Sequence, residues 1–95
     1  MSYRGKVYRL GTNQVVSYTS TSTANTTAFV QGVNAVRVVA STHCHITFGG
    51  SPTATTSSVK LPPNLPEYFV VTPGQKIAAI RTTTSGTLHV TEVSG

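Results

Sequence analysis

The residues of this chain that could do chemistry are concentrated in one short stretch, where His43, Cys44 and His45 follow one another. Two histidines separated by one residue can share a metal ion, and His89 could supply a third nitrogen from the same chain or across an oligomer axis. No carboxylate lies near them in the sequence. Two interpretations stay open, a metal site and histidines at solvent or at an interface. We favour the second and predict no metal and no cofactor.

Side-chain alternation bears on the same stretch, because neighbouring residues of a strand face opposite sides of a sheet. If the stretch is a strand, Cys44 and Ile46 point to the core, whereas His43 and His45 stand side by side at the surface. A buried Cys44 acts as a small apolar side chain and not as a nucleophile. The stretch is therefore predicted to be a strand and not an active site.

Acidic side chains are scarce, because only Glu67 and Glu92 stand against seven lysines and arginines and the formal net charge is +5. A serine triad would need one of these glutamates, and paired-carboxylate hydrolysis would need both to meet. We therefore predict that the protein is not an enzyme. The charge imbalance predicts an acidic partner, and the dispersal of the cations argues against nucleic acid as that partner.

The length and composition of the chain favour one small domain that depends on neighbours. A domain of 95 residues that is rich in Ser and Thr and lacks Trp has little apolar area to bury. This shortage predicts a homo-oligomer or a subunit held by other subunits. The single cysteine cannot form an intrachain disulfide, which suits synthesis in a cytoplasm, and no apolar run reaches the roughly 20 residues of a membrane span. We expect no membrane partner.

The pattern of residue types predicts an all-β fold. β-branched residues dominate, Gly, Pro, Ser and Asn interrupt them every ten residues or so, and no window has a helical apolar period. Six to eight short strands are expected, arranged as a sandwich, a jelly roll or a small barrel. The predicted strands include NQVVSYTSTS, TTAFV, NAVRVVAST, EYFVV, KIAAIR and TLHVTEV.

Two turns are predicted in the last third of the chain. Pro73 and Gly74 suit the second and third positions of a type II turn, because proline presets φ and glycine accepts a positive φ. A second turn around Ser85 and Gly86 is expected to pair KIAAIR with TLHVTEV. The prolines of LPPNLP exclude that segment from a central strand, and residues 49–58 are expected to form a long surface loop.

The first residues of the chain suggest a separate unit, a basic N-terminal arm over residues 1–12 that precedes a single β domain over residues 13–95. This arm contains both cations and tyrosines. Its tyrosines could stack on the bases of single-stranded nucleic acid, and its cations could neutralise the phosphates. It could also lie on an acidic neighbouring subunit, where the tyrosines would bury apolar area. We favour the neighbouring subunit. The candidate partner-binding residues are Tyr3, Arg4, Lys6, Tyr8 and Arg9.

More than half of the chain, from His43 to Ser94, carries the successions FGGSPTAT, LPPNLPEYFVVTPGQKIAAI and SGTLHVTEVS. These resemble small virion-associated structural proteins of tailed bacteriophages. The resemblance implies a capsid decoration (cement) protein with a jelly-roll-like fold, commonly trimeric, located in the virion and bound to the major capsid protein or to other virion subunits. Two alternatives stay open, a minor neck, tail or baseplate component and a glycan- or nucleic-acid-binding β module.

Overall fold

The computed structural model describes residues 9–33 and 35–94, and within them the chain is all-β with eight strands and no helix. The predicted fold class is thereby confirmed at this level. No helix in the described part of the chain is long and apolar enough to cross a membrane. The strands are β1 (Arg9–Tyr18), β2 (Thr23–Ala24), β3 (Ala35–Ala40), β4 (Cys44–Gly49), β5 (Val59–Leu61), β6 (Glu67–Val70), β7 (Lys76–Arg81) and β8 (Gly86–Ser94).

The strands form two antiparallel sheets of four strands each. The first sheet has the order β1-β8-β3-β6 and the second has the order β2-β7-β4-β5. Among the described strands, β4 and β5 are the one pair of sequence neighbours that also pair with each other. Every other pair of consecutive strands lies in different sheets, so most pairings join distant parts of the sequence.

The predicted pairing of KIAAIR with TLHVTEV is wrong. The first of these segments is β7, which pairs with β2 and β4 in the second sheet. The second is β8, which pairs with β1 and β3 in the first sheet. Each strand is central in its own sheet, so the residues between them cross from one sheet to the other and do not close a hairpin.

The two sheets share one apolar core, to which β1, β3, β4, β7 and β8 contribute alternate residues, as the period of a strand requires. Cys44 belongs to this core, so its predicted inward orientation is confirmed. Full burial of an apolar side chain stabilises a fold by about 1.5–3 kcal/mol for the larger residues. The largest fully buried side chains include Tyr18, Phe29, Ile46, Leu61, Ile77 and Leu88.

The turn that follows β6 has the predicted geometry. Gly74 has a φ of 91°, the positive value that the third position of a type II turn requires. The backbone N–H of Gln75 donates to the carbonyl of Thr72 over 3.1 Å and closes the turn. Local residue chemistry was sufficient for this prediction, because a four-residue turn depends little on the rest of the fold.

A buried asparagine joins β1, β2 and β7 at one side of the molecule. Asn25 is 4% exposed, and its Oδ1 accepts from the N–H of Ile77 over 2.8 Å. Its Nδ2 donates to Oε1 of Gln14 over 3.1 Å and to the carbonyl of Thr27 over 2.6 Å. Because donor and acceptor are both used, the amide is well satisfied in its buried site.

We expect Asn25→Ala to lower the free energy of unfolding by about 2 kcal/mol, because it leaves the N–H of Ile77 without its side-chain acceptor in a buried position. Urea unfolding followed by circular dichroism would measure the change. Thr26→Ala is the control, since Thr26 is exposed and adjacent. Equal stability of the two variants would contradict the structural role given to Asn25.

Candidate binding surfaces

The predicted arm lies mostly outside the described residues. Tyr3, Arg4, Lys6 and Tyr8 fall there, and of Arg9 the backbone position is described, in register with Ser94 of β8. Residues 9–12 belong to β1, whose register with β8 shifts between Leu10 and Asn13. The division into an arm of residues 1–12 and a domain of residues 13–95 stays a prediction, as does the binding role of these five side chains.

The two neighbouring histidines have different surroundings, so the expectation that both stand at the surface is wrong for one of them. His43 precedes β4 and is exposed, and its carbonyl accepts from the N–H of Thr82 over 3.2 Å. His45 lies within β4 and is 8% exposed. Its Nδ1 lies 3.0 Å from the carbonyl oxygen of Ser58. His45 is thus held against the chain and is not presented to solvent.

The burial of His45 follows from the loop between β4 and β5, which lies across the outer face of the second sheet. The N–H of Ala54 in this loop donates to Oγ of Ser22 over 2.8 Å. Ala54 is 2% exposed, and Ala78, on the outward-facing side of β7, is fully buried. Residues 50–58 therefore cover the face on which alternation places His45, and alternation alone does not predict such a cover.

The third histidine lies on the opposite side of the molecule. His89 is exposed on the outer face of the first sheet, in register with Val15 and Val39. Because the two sheets meet through their inner faces, the outer faces that carry His89 and His45 point away from each other. Residues 9–33 and 35–94 contain no group of three or more His, Cys, Asp or Glu side chains that could hold a metal ion.

Both acidic residues of the chain belong to the inward-facing side of the first sheet. Glu67 is in register with Val38 and Glu92 with Val36, and both valines are fully buried. Cross-strand partners share a face of the sheet, so the Cβ atoms of both glutamates lie on the inner side of the sheet. Neither outer face therefore carries an Asp or Glu side chain.

An apolar pocket lies where β4 and β5 of the second sheet approach β6 of the first. Its volume is about 330 Å³, and its lining includes Ile46, Phe48, Val59 and Phe69, with hydroxyls from two serines. The rings of Phe48 and Phe69 are 5.5 Å apart. None of the described residues that line it is titratable, and these residues suit contact with an apolar group.

The outer face of the first sheet carries several exposed apolar side chains. Leu10 is 67% exposed, Val15 52%, Tyr68 54% and Val70 87%. Arg37 lies among them in register with Tyr68. Residue types alone do not reveal this surface, because valines in strands indicate a core. The alternation of Arg37 with buried Val36 and Val38 was the available signal that one side of β3 faces outward.

Comparison with protein-family models, with curated proteins and with solved structures finds no match for this chain. Its function is therefore inferred from its own strand order, charge distribution and surfaces.

Proposed function

We propose that this protein is a non-enzymatic structural protein of a bacteriophage virion, a capsid decoration protein that stabilises the shell. The observation that carries the proposal is the strand order, β1-β8-β3-β6 against β2-β7-β4-β5. Eight strands divided in this way fit two Greek keys, the arrangement of a jelly roll, which viral capsid domains use widely. We infer a jelly-roll-like sandwich preceded by an extended arm, in agreement with the resemblance of residues 43–94.

The charge distribution supports an acidic protein partner, for which we propose the major capsid protein or another virion subunit. The formal net charge is +5, and the Cβ atoms of both glutamates lie on the inner side of the first sheet. Capsid surfaces are often acidic, and many weak symmetric contacts add through multivalency. In this proposal Tyr3, Arg4, Lys6, Tyr8 and Arg9 form the arm contact.

The thin core supports self-association as well. A 95-residue chain with little apolar area gains stability from neighbours, and closed symmetric oligomers are the usual solution. We propose a homo-oligomer, with a trimer favoured by the resemblance. The protein would be made in the host cytoplasm and located in the virion.

Purified particles provide the test. We expect the copy number of this protein, measured by quantitative mass spectrometry, to approach that of the major shell protein. Particles made without it should break at a lower temperature, and the full chain should restore their stability when it is added back. The chain without residues 1–8 should restore less.

The same measurements separate the alternatives. A low copy number would assign the protein to the neck, tail or baseplate. Absence from particles, together with glycan or single-stranded DNA binding that is lost when Tyr3 or Tyr8 is replaced, would establish the binding module instead. Equal breakage temperatures of complete and depleted shells would overturn the decoration role.

A further inference from the structure

We propose that the outer face of the first sheet is the surface that docks onto an acidic and partly apolar protein surface of the shell. The inference rests on the proposed function and goes further, because it assigns the lattice contact to a face of the folded domain in addition to the arm. The docking residues are Leu10, Val15, Arg37 and Val70.

The register places these side chains on one surface. Across β1, β8, β3 and β6, one outward-facing row contains Leu10, Val93, Ala35 and Val70. Its two end residues are 67% and 87% exposed, whereas Val93 is buried. A second row contains Val15, His89 and Val39, and the row between them contains Arg37. The face spans four strands, about 14 Å from the first strand to the last.

The exposure of this face contrasts with the cover on the other sheet. Residues 50–58 lie across the outer side of the second sheet, where Ala78 and His45 are buried. On the first sheet the cover is partial, since Val93 in the central strand β8 is buried, whereas Val15 and Val70 on the two edge strands are more than half exposed. Large apolar side chains grouped on a polar chain of this kind mark an interaction site.

Charge selects the kind of partner. The face carries Arg37 and His89 and no Asp or Glu side chain, because the Cβ atoms of both glutamates lie on the opposite side of the sheet. A second copy docked through the same face would bring two Arg37 side chains into one contact without an acid to offset them, which disfavours self-pairing. An acidic surface with apolar side chains complements both features of the face.

The position of β1 also supports an orientation in which the outer face of the first sheet points towards the shell. Leu10 directly follows the basic segment that ends at Arg9. A shell subunit that contacts Leu10 therefore also lies near Arg9, the adjacent residue of β1. The arm and the outer face can thus bind one partner together.

The first part of the test is the removal of apolar contact. We would measure the Kd of the full chain for shells assembled without it, and compare Val15→Thr/Val70→Thr with Val30→Thr/Leu65→Thr. Threonine keeps the branched shape and strand preference of valine. All four side chains are more than half exposed, but Val30 and Leu65 lie in loops off this face. We expect at least a tenfold rise in Kd for the first pair and less than a twofold rise for the control pair.

The second part reverses one charge on each sheet. Arg37→Glu should raise the Kd at least tenfold, and Lys60→Glu, which changes the net charge equally on the second sheet, should change it less than threefold. Thermal unfolding establishes whether each variant is folded. If Arg37→Glu does not fold, Arg37→Gln replaces it as the milder variant.

Each outcome decides the proposal. If the wild-type chain binds shells and the face variants bind with unchanged Kd, the assigned face is overturned and the decoration role stays intact. The same holds if the control variants lose as much affinity as the face variants. Failure of the wild-type chain to bind shells would overturn both. Self-association in sedimentation that Val15→Thr/Val70→Thr abolishes would assign the face to a second copy and so overturn the acidic partner.

Discussion

Replacing Gly86 with alanine is expected to lower the free energy of unfolding by about 3 kcal/mol, because the new methyl group has no space. A Cβ at this position would lie 2.5 Å from Oγ1 of Thr42, 2.6 Å from Oγ of Ser41 and 2.7 Å from the hydroxyl of Tyr18. Carbon and oxygen atoms do not approach so closely, so at least one of these groups must move.

The surrounding hydroxyls cannot move without losing hydrogen bonds. The Tyr18 hydroxyl donates to the carbonyl of Thr42 over 2.7 Å and accepts from the N–H of Thr42 over 3.0 Å. Oγ of Ser41 accepts from the N–H of Thr87 over 2.9 Å. The expected loss therefore combines steric strain with one or two broken hydrogen bonds.

Gly50→Ala is the matched control for Gly86→Ala, since no atom of residues 9–33 and 35–94 lies within 4 Å of a Cβ at Gly50. It should change stability by less than about 1 kcal/mol, because alanine mainly restricts the unfolded chain there. Thermal and urea unfolding of both variants would provide the comparison. Similar stabilities of the two variants would show that the contact around Gly86 relaxes without cost.

The second large effect is expected at high pH and comes from Cys44. Burial raises the pKa of the Cys44 thiol from an ordinary 9.0 to about 11, and a hydrogen bond with the Tyr18 side chain lowers the pKa by a smaller amount. The folded state keeps the thiol proton at a pH where the unfolded chain has lost it. Stability from this difference is complete below pH 9 and is lost as the pH rises towards 11, by about 3 kcal/mol.

Cys44→Ala isolates this contribution, because all other titratable groups are common to both proteins. We expect the stability of the wild-type chain to fall more steeply than that of the variant between pH 9 and pH 11. Parallel curves would contradict the assignment. The thiolate is the reactive form of a cysteine, and the buried Cys44 thiol is both protonated and shielded in the folded state. At about pH 8 it should therefore react with a thiol reagent only as fast as the protein unfolds.

The candidate surfaces divide into a part that sequence reasoning can reach and a part that it cannot. The scarcity of acids and the excess of cations are properties of composition, and they indicate an acidic partner whatever the fold of the chain. The exposure of Val15 and Val70 is different, because a valine in a strand by itself indicates a core position and not an open face. Which side of the first sheet stays open depends on how the chain folds over the second.

By itself, the sequence determined the properties that depend on neighbouring residues. Residue types predicted an all-β chain, alternation predicted the burial of Cys44, and Pro73 with Gly74 predicted the turn after β6. Only the tertiary structure decided which strands pair, since β7 and β8 are adjacent in sequence and lie in different sheets. It also decided the burial of His45, because the loop that covers it is held at Ser22, far away in the sequence. The physical reason is the same in both cases. Local geometry limits the conformation of each segment, whereas pairing and cover depend on contacts between distant segments.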